Sequence, residues 1–178
     1  MNSNKTFMIL LILLVCLGAY VYYMNPVSHD IQLEQNKALN FKLGDVQEIL
    51  LKKKEQVLLF RKNAGKWMIA GCQVDTEAQA MINGLISTFD LGIVDVVESR
   101  PSDHDQYGLD NPDVEFGIKV KGGGGFRHLL LGRNSVTNTI CYAKNKDGKE
   151  VMFLGILYKK NMEDILEKFR LEPKSCER

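Results

Sequence analysis

The chain has 178 residues, 45% of them hydrophobic and 25% charged, the composition of an ordinary globular protein and enough chain for one domain. Its 23 basic and 22 acidic residues give a formal net charge of +1, and one of the bases, Lys5, precedes the first apolar run, so everything after that run is balanced. A neutral body lacks the basic surplus of a phosphate-backbone binder, which argues against a nucleic-acid partner, and no acidic tail is present.

After a short tail at residues 1–6, residues 7–24 read "FMILLILLVCLGAYVYYM" without a single charge. As a helix this run spans about 27 Å, close to the hydrocarbon thickness of a bilayer. Each Leu, Ile, Val or Phe favours insertion by about 0.3–0.6 kcal/mol, and the sum predicts a transmembrane anchor. Tyr20, Tyr22 and Tyr23 gather where an aromatic belt would meet the headgroups, and Asn25-Pro26 should stop the helix. A cleaved signal peptide would want small residues one and three places before the cut, but Leu17 stands two before Ala19. A lipoprotein signal would want a small residue before its cysteine, whereas Cys16 follows Val15. A retained, single-pass signal anchor is therefore expected. Lys5 lies ahead of it and "NPVSHD" after it has no Lys or Arg, so the body is expected outside, which in a bacterium means anchored in the inner membrane and facing the periplasm or cell exterior.

Residues 25–40 are polar and read as a stalk, residues 41–171 as the body and residues 172–178 as a C-terminal tail. Strands are expected at 46–53, 57–61 and 66–70, separated by charged or "NAGK" turns, with Trp67 in the core. Asp75 is a good helix N-cap, followed at helical spacing by Ala78, Met81, Ile82, Leu85, Ile86 and Phe89, with the stop at Leu91-Gly92. Another strand is expected at 93–99. Strands at 114–120 and 126–131 flank "KGGGG", and a further pair at 139–144 and 150–154 flanks Lys146-Asp147-Gly148. The last helix has an apolar stripe of Tyr158, Met162, Ile165, Leu166 and Phe169, and a face of Lys160, Asp164, Glu167 and Lys168 expected in solvent. The fold class that follows is α+β, a β-rich body of antiparallel strands with two amphipathic helices. Each half runs from strands into a helix, which points to a duplicated unit. Cys72, Cys141 and Cys176 give the body an odd count with no CxxC, and free thiols are expected.

The order "KW.I", an Asp-capped helix ending "FDLGI", then "YGLDNP", "LLLG", "CYAK" and a closing helix is similar to one bacterial family, the domain of unknown function 4340. Trp67, Asp75, Tyr107, Gly108, Leu109, Pro112, Leu131, Gly132, Tyr142 and Ala143 carry the resemblance over roughly residues 46–171. It implies a membrane-anchored envelope protein, in some members an auxiliary of ABC-type exporters, and brings no catalytic residues.

The segment "DHDQYGLDNP" at 103–112 raises the question of a metal site, with Asp103, His104, Asp105 and Asp110 as candidate ligands. Its spacing fits no EF-hand loop. A structural corner explains more of it: a helical turn from Asp103, Tyr107 against the sheet, Gly108 as cap, and Asn111-Pro112 launching the next strand. Gly122 to Gly125 lack the Lys-Ser/Thr and helix of a phosphate loop and read as a hairpin, and His128 as a strand histidine facing solvent. Ser87, Ser135 and the cysteines have no nucleophile elbow or adjacent His-Asp pair. The leading expectation is a non-catalytic accessory or assembly module that needs no cofactor and binds a membrane protein complex. The alternatives are an envelope hydrolase or metal-dependent enzyme built on the 103–113 loop, whose activity Asp105→Asn and Asp110→Asn would abolish, and a small-ligand or polysaccharide binder with a concave apolar pocket.

Overall fold

The computed structural model describes residues 7–8, 11–17, 20, 37–97, 104–171 and 176–177. The chain divides into two units, residues 1–35 and residues 36–178. In the first unit, the described parts of the expected 7–24 span are helical, with Phe7, Leu11, Leu14 and Tyr20 among its exposed side chains. Among the described residues no helix is long and apolar enough to cross a membrane, so the expected span is not carried by them; its remainder, and residues 25–36 of the expected stalk, lie outside the described residues.

The second unit is α+β, as expected. Among the described residues its strands are β1 (Val46–Lys53), β2 (Gln56–Asn63), β3 (Lys66–Ile69), β4 (Cys72–Val74), β5 (Asp95–Val97), β6 (Val114–Val120), β7 (Arg127–Asn134), β8 (Ile140–Asn145), β9 (Val151–Gly155) and β10 (Cys176–Glu177). Helix α1 (Thr76–Thr88) follows β4, and α2 (Ile156–Leu171) follows β9. The strands form one antiparallel sheet in the order β10-β4-β3-β2-β1-β6-β7-β8-β9-β5. That order maps onto itself when β1–β5 are exchanged with β6–β10. Each half is a four-strand meander and a helix, and each final strand crosses over: β5 closes the second half beside β9, and β10 closes the first beside β4.

The exchange is centred on the β1–β6 pair. Leu50 stands opposite Gly117, and the charge pairs Glu48–Lys119 and Lys52–Glu115 stand on either side of it. A side chain at Gly117 would press on Leu50 and His128. Period-two alternation sends Ile49, Leu51, Leu58, Phe60, Phe116 and Ile118 to the helix-covered face, where all are buried. Phe89, at the end of α1, stacks on Phe116 at 4.8 Å and meets Tyr158 of α2 edge-on at 5.1 Å, and Phe60 meets Phe169 at 5.2 Å. Each such fully buried side chain contributes about 1.5–3 kcal/mol of transfer free energy. The core also takes in Ala38 and Leu39, which the sequence placed in the stalk; both are apolar and have no reason to remain in water.

The sequence reading of α1 holds in detail. Asp75 Oδ1 accepts from the Ala78 amide at 2.7 Å, and the helix runs into a 3-10 turn (Phe89–Leu91) ended by Gly92 at φ +76°. Trp67 is fully buried and donates Nε1–H to Asn83 Oδ1 at 3.0 Å. On α2, Lys160, Asp164 and Glu167 face solvent as expected. Lys168 does not: its ammonium reaches across to α1, 2.6 Å from Glu77 and 3.4 Å from Asp75.

Candidate functional site

Of the 103–112 segment, the described residues 104–111 form a clasp on the outer face of the second half, the face without helices. The Leu109 amide donates to the His104 carbonyl and the Gly108 amide to the Asp105 carbonyl, each at 2.9 Å, which is the paired bonding of a Schellman turn with Gly108 at φ +71° in the left-handed position. Tyr107 and Leu109 pack on Leu130, Tyr142, Val151 and Val97 in a small second core, with the Tyr107 and Tyr142 rings 4.6 Å apart. The Arg133 amide donates to the Tyr107 carbonyl at 2.8 Å. Gly132 is what admits that main chain: a Cβ there would overlap the Tyr107 carbonyl oxygen. Tyr107, Gly108, Leu109, Gly132 and Tyr142, five residues of the sequence motif, thus meet in one place, and Pro112 follows the clasp, half-buried, just before β6.

The metal candidates do not converge. His104 is buried with Nε2 3.3 Å from the Lys149 carbonyl, Asp105 and Asp110 are exposed, and Asp103 lies outside the described residues. No group of three His, Cys, Asp or Glu able to hold a metal ion occurs among the described residues.

A buried cation that sequence reasoning passed over ties α2 to the end of β7 and to Asp113, just past the clasp. Lys159, whose side chain is 5% exposed, donates to Asp113 Oδ2 at 2.5 Å, the Gly132 carbonyl at 2.8 Å and Asn134 Oδ1 at 2.9 Å. Three oxygen acceptors occupy all three ammonium donors, which is what makes its burial affordable. Its only signal in sequence is its place in the first turn of α2, one residue from the core Tyr158.

The other candidates resolve into structure. Gly122, at φ +74°, turns the β6–β7 hairpin. His128 is 24% exposed, so it does not face open solvent as expected; its Nδ1 lies 2.9 Å from Glu115 Oε1 without hydrogen-bond alignment, and Lys146 donates to the same oxygen at 3.0 Å. Burial pushes the Glu115 carboxyl up, but the Lys146 hydrogen bond and the charges of Lys146, His128 and Lys52 outweigh it and hold the group below its ordinary value. Ser87 donates to the Asn83 carbonyl, and Ser135 Oγ lies 3.1 Å from Thr137 Oγ1. Cys141 is buried, and desolvation pushes its thiol up to about 11, so it is not poised as a nucleophile.

The feature left over is the outer face of the first half. Val57, Leu59, Arg61, Asn63, Met68 and Ala70 line an open groove of about 690 Å³ along β2 and β3. Val57 is 53% exposed at its mouth. Alternation accounts for the groove, since 57, 59, 61 and 63 all point away from the helices while Leu58 and Phe60 fill the core. Beside it, Glu48 accepts from Lys119 at 2.9 Å and from Arg61 at 3.2 Å, and the Lys119 bond first, then the Arg61 bond, holds its carboxyl below its ordinary value against the opposing pull of burial. Comparison with protein-family models, curated proteins and solved structures finds no match for this chain.

Proposed function

We propose that the chain is a non-catalytic accessory of the bacterial envelope, tethered to the inner membrane by residues 7–24 and docking its α+β body on a membrane protein complex at the periplasmic or outer side. The observation that carries this reading is the groove on the first half: an apolar, concave sheet face open to solvent, with Val57 half-exposed, where a partner has something to bury. The uncharged run at 7–24 supports the tether, and the motif order supports kinship with the domain of unknown function 4340 and hence an ABC-type exporter as the class of complex. The self-mapping strand order supports descent of the body from a duplicated unit. Gentle detergent extraction from native membranes, followed by identification of co-purifying proteins, tests the function. A stoichiometric membrane complex is the expected result; a monomer reproducibly free of partners overturns it.

A further inference from the structure

The two ends of the sheet differ in charge. At one end the antiparallel register gathers the start of β1, the β2–β3 turn, the β6–β7 hairpin and the β8–β9 turn: Val46 stands opposite Val120, Asn63 opposite Lys66, Ile118 opposite Arg127 and Leu129 opposite Asn145. The connections there carry Lys42, Lys66, Lys121, Arg127, Lys146 and Lys149 against Asp45, Asp147 and Glu150, every one of them exposed. Lys42, Lys66, Lys121 and Lys149 have no ion pair among the described residues. At the other end, the connections at 54–55, 111–113 and 135–139 carry Lys54 against Glu55 and Asp113. Across strands β3 to β9 the basic row extends about 25–30 Å.

The chain enters the body at this same basic end. Ala38 and Leu39 are buried in the core, and Arg127 donates to the Asn40 carbonyl just after them. Residues 25–36 separate that entry from the uncharged run at 7–24, a reach of at most about 45 Å. We propose that this end of the body binds the anionic phospholipid headgroups of the membrane that holds residues 7–24, an inference that rests on the tether reading above. A row of exposed cations matches a layer of phosphates, and each cation near such a surface strengthens binding by about fivefold. The tether makes the contact intramolecular, so a few weak charge contacts suffice. Gly122 to Gly125, between Lys121 and Arg127, put no side chain in the way of the approach. A nucleic acid offers the same phosphates but has no tether to hold it there.

The test uses the full chain reconstituted into lipid nanodiscs, either of phosphatidylcholine alone or of an equimolar mixture with phosphatidylglycerol, with lysine acetylation rates mapped by mass spectrometry. Lys42, Lys66, Lys121 and Lys149 should react at least about threefold more slowly in the mixed discs, while Lys54 at the other end and Lys160 on α2, both exposed, react equally in the two. Raising NaCl to about 1 M, where screening acts within about 3 Å, should abolish the difference. Lys42→Glu together with Lys121→Glu, checked for an unchanged circular dichroism melt, should return Lys66 and Lys149 to their rates in phosphatidylcholine. Equal rates in the two discs, or protection that survives both salt and the double substitution, overturns the proposal. If the four lysines are protected in native membranes but not in mixed discs, an acidic protein covers that end; the lipid proposal then falls and the assembly reading stands. A chain that does not enter the discs at all removes the tether, and this proposal with it.

Discussion

Strands β7 and β8 hold their outer face under Tyr107 and Leu109, whereas β2 and β3, which take the matching places in the strand order, leave theirs open as a groove. The difference turns on a few side chains. Gly132 lets a main chain lie directly on β7, and Leu130 gives it an apolar seat; the first half has Asn63 and Arg61 at the matching places in the register. A symmetric scaffold can thus use one face for its own stability and the matching face for something else.

The sharpest way to break the comparison is to close the gap at the glycine. Gly132→Ala should lower unfolding free energy by about 3–5 kcal/mol, since the new Cβ must displace the Tyr107 carbonyl, while Asn63→Ala in the open half should stay within about 0.5 kcal/mol. Chemical denaturation of both variants measures the contrast. Next in size is Leu109→Ala, expected to cost about 2–3 kcal/mol by emptying the small core, against less than about 1 kcal/mol for Leu59→Ala on the groove floor. Lys159→Met should cost about 2 kcal/mol in the same assay, because it strands the buried Gly132 carbonyl, with the exposed Asn134 and Asp113 contributing little.

The smallest effect is with pH. Glu48 and Glu115 both hold their carboxyls below the ordinary value near 4.5, so the stability they confer is present above that value and is lost as the pH falls through the lower folded-state value. Melting temperature should decline on acidification below about pH 4.5, and Glu48→Gln together with Glu115→Gln should flatten that decline. A decline of unchanged steepness in the double variant would place the acid sensitivity elsewhere.

Much of the fold was legible because its signals are local. The Asp75 cap, the spacing from Ala78 to Phe89, and the turns around Gly65, Gly122 and Gly148 each act within a few residues. The three-residue β4 was missed because Cys72, Gln73 and Val74 show no alternation long enough to read, and β5 begins at Asp95 rather than at Ile93, the last two residues of the expected strand lying outside the described residues. The crossing of β5 and β10 to opposite ends of the sheet was not legible at all, since nothing in either strand encodes its distant neighbour. At the site, the structural reading of Tyr107 and Gly108 stands because turn chemistry is local. Lys159 and the groove escaped, because both depend on which residues the sheet brings alongside one another.

That crossing has a consequence for synthesis. The ribosome delivers the first meander complete with α1, yet the strand that pairs with β4, β10, begins only at Cys176, after the whole second meander and α2 have emerged. Until then β4 is an open edge, and β5 has no β9 to join. Contacts so far apart along the chain are slow to close, so the nascent first half exposes pairing edges for the time it takes to translate the second. At about 5–20 residues per second that interval lasts several seconds, during which the edge of an otherwise nearly finished half stays unpaired.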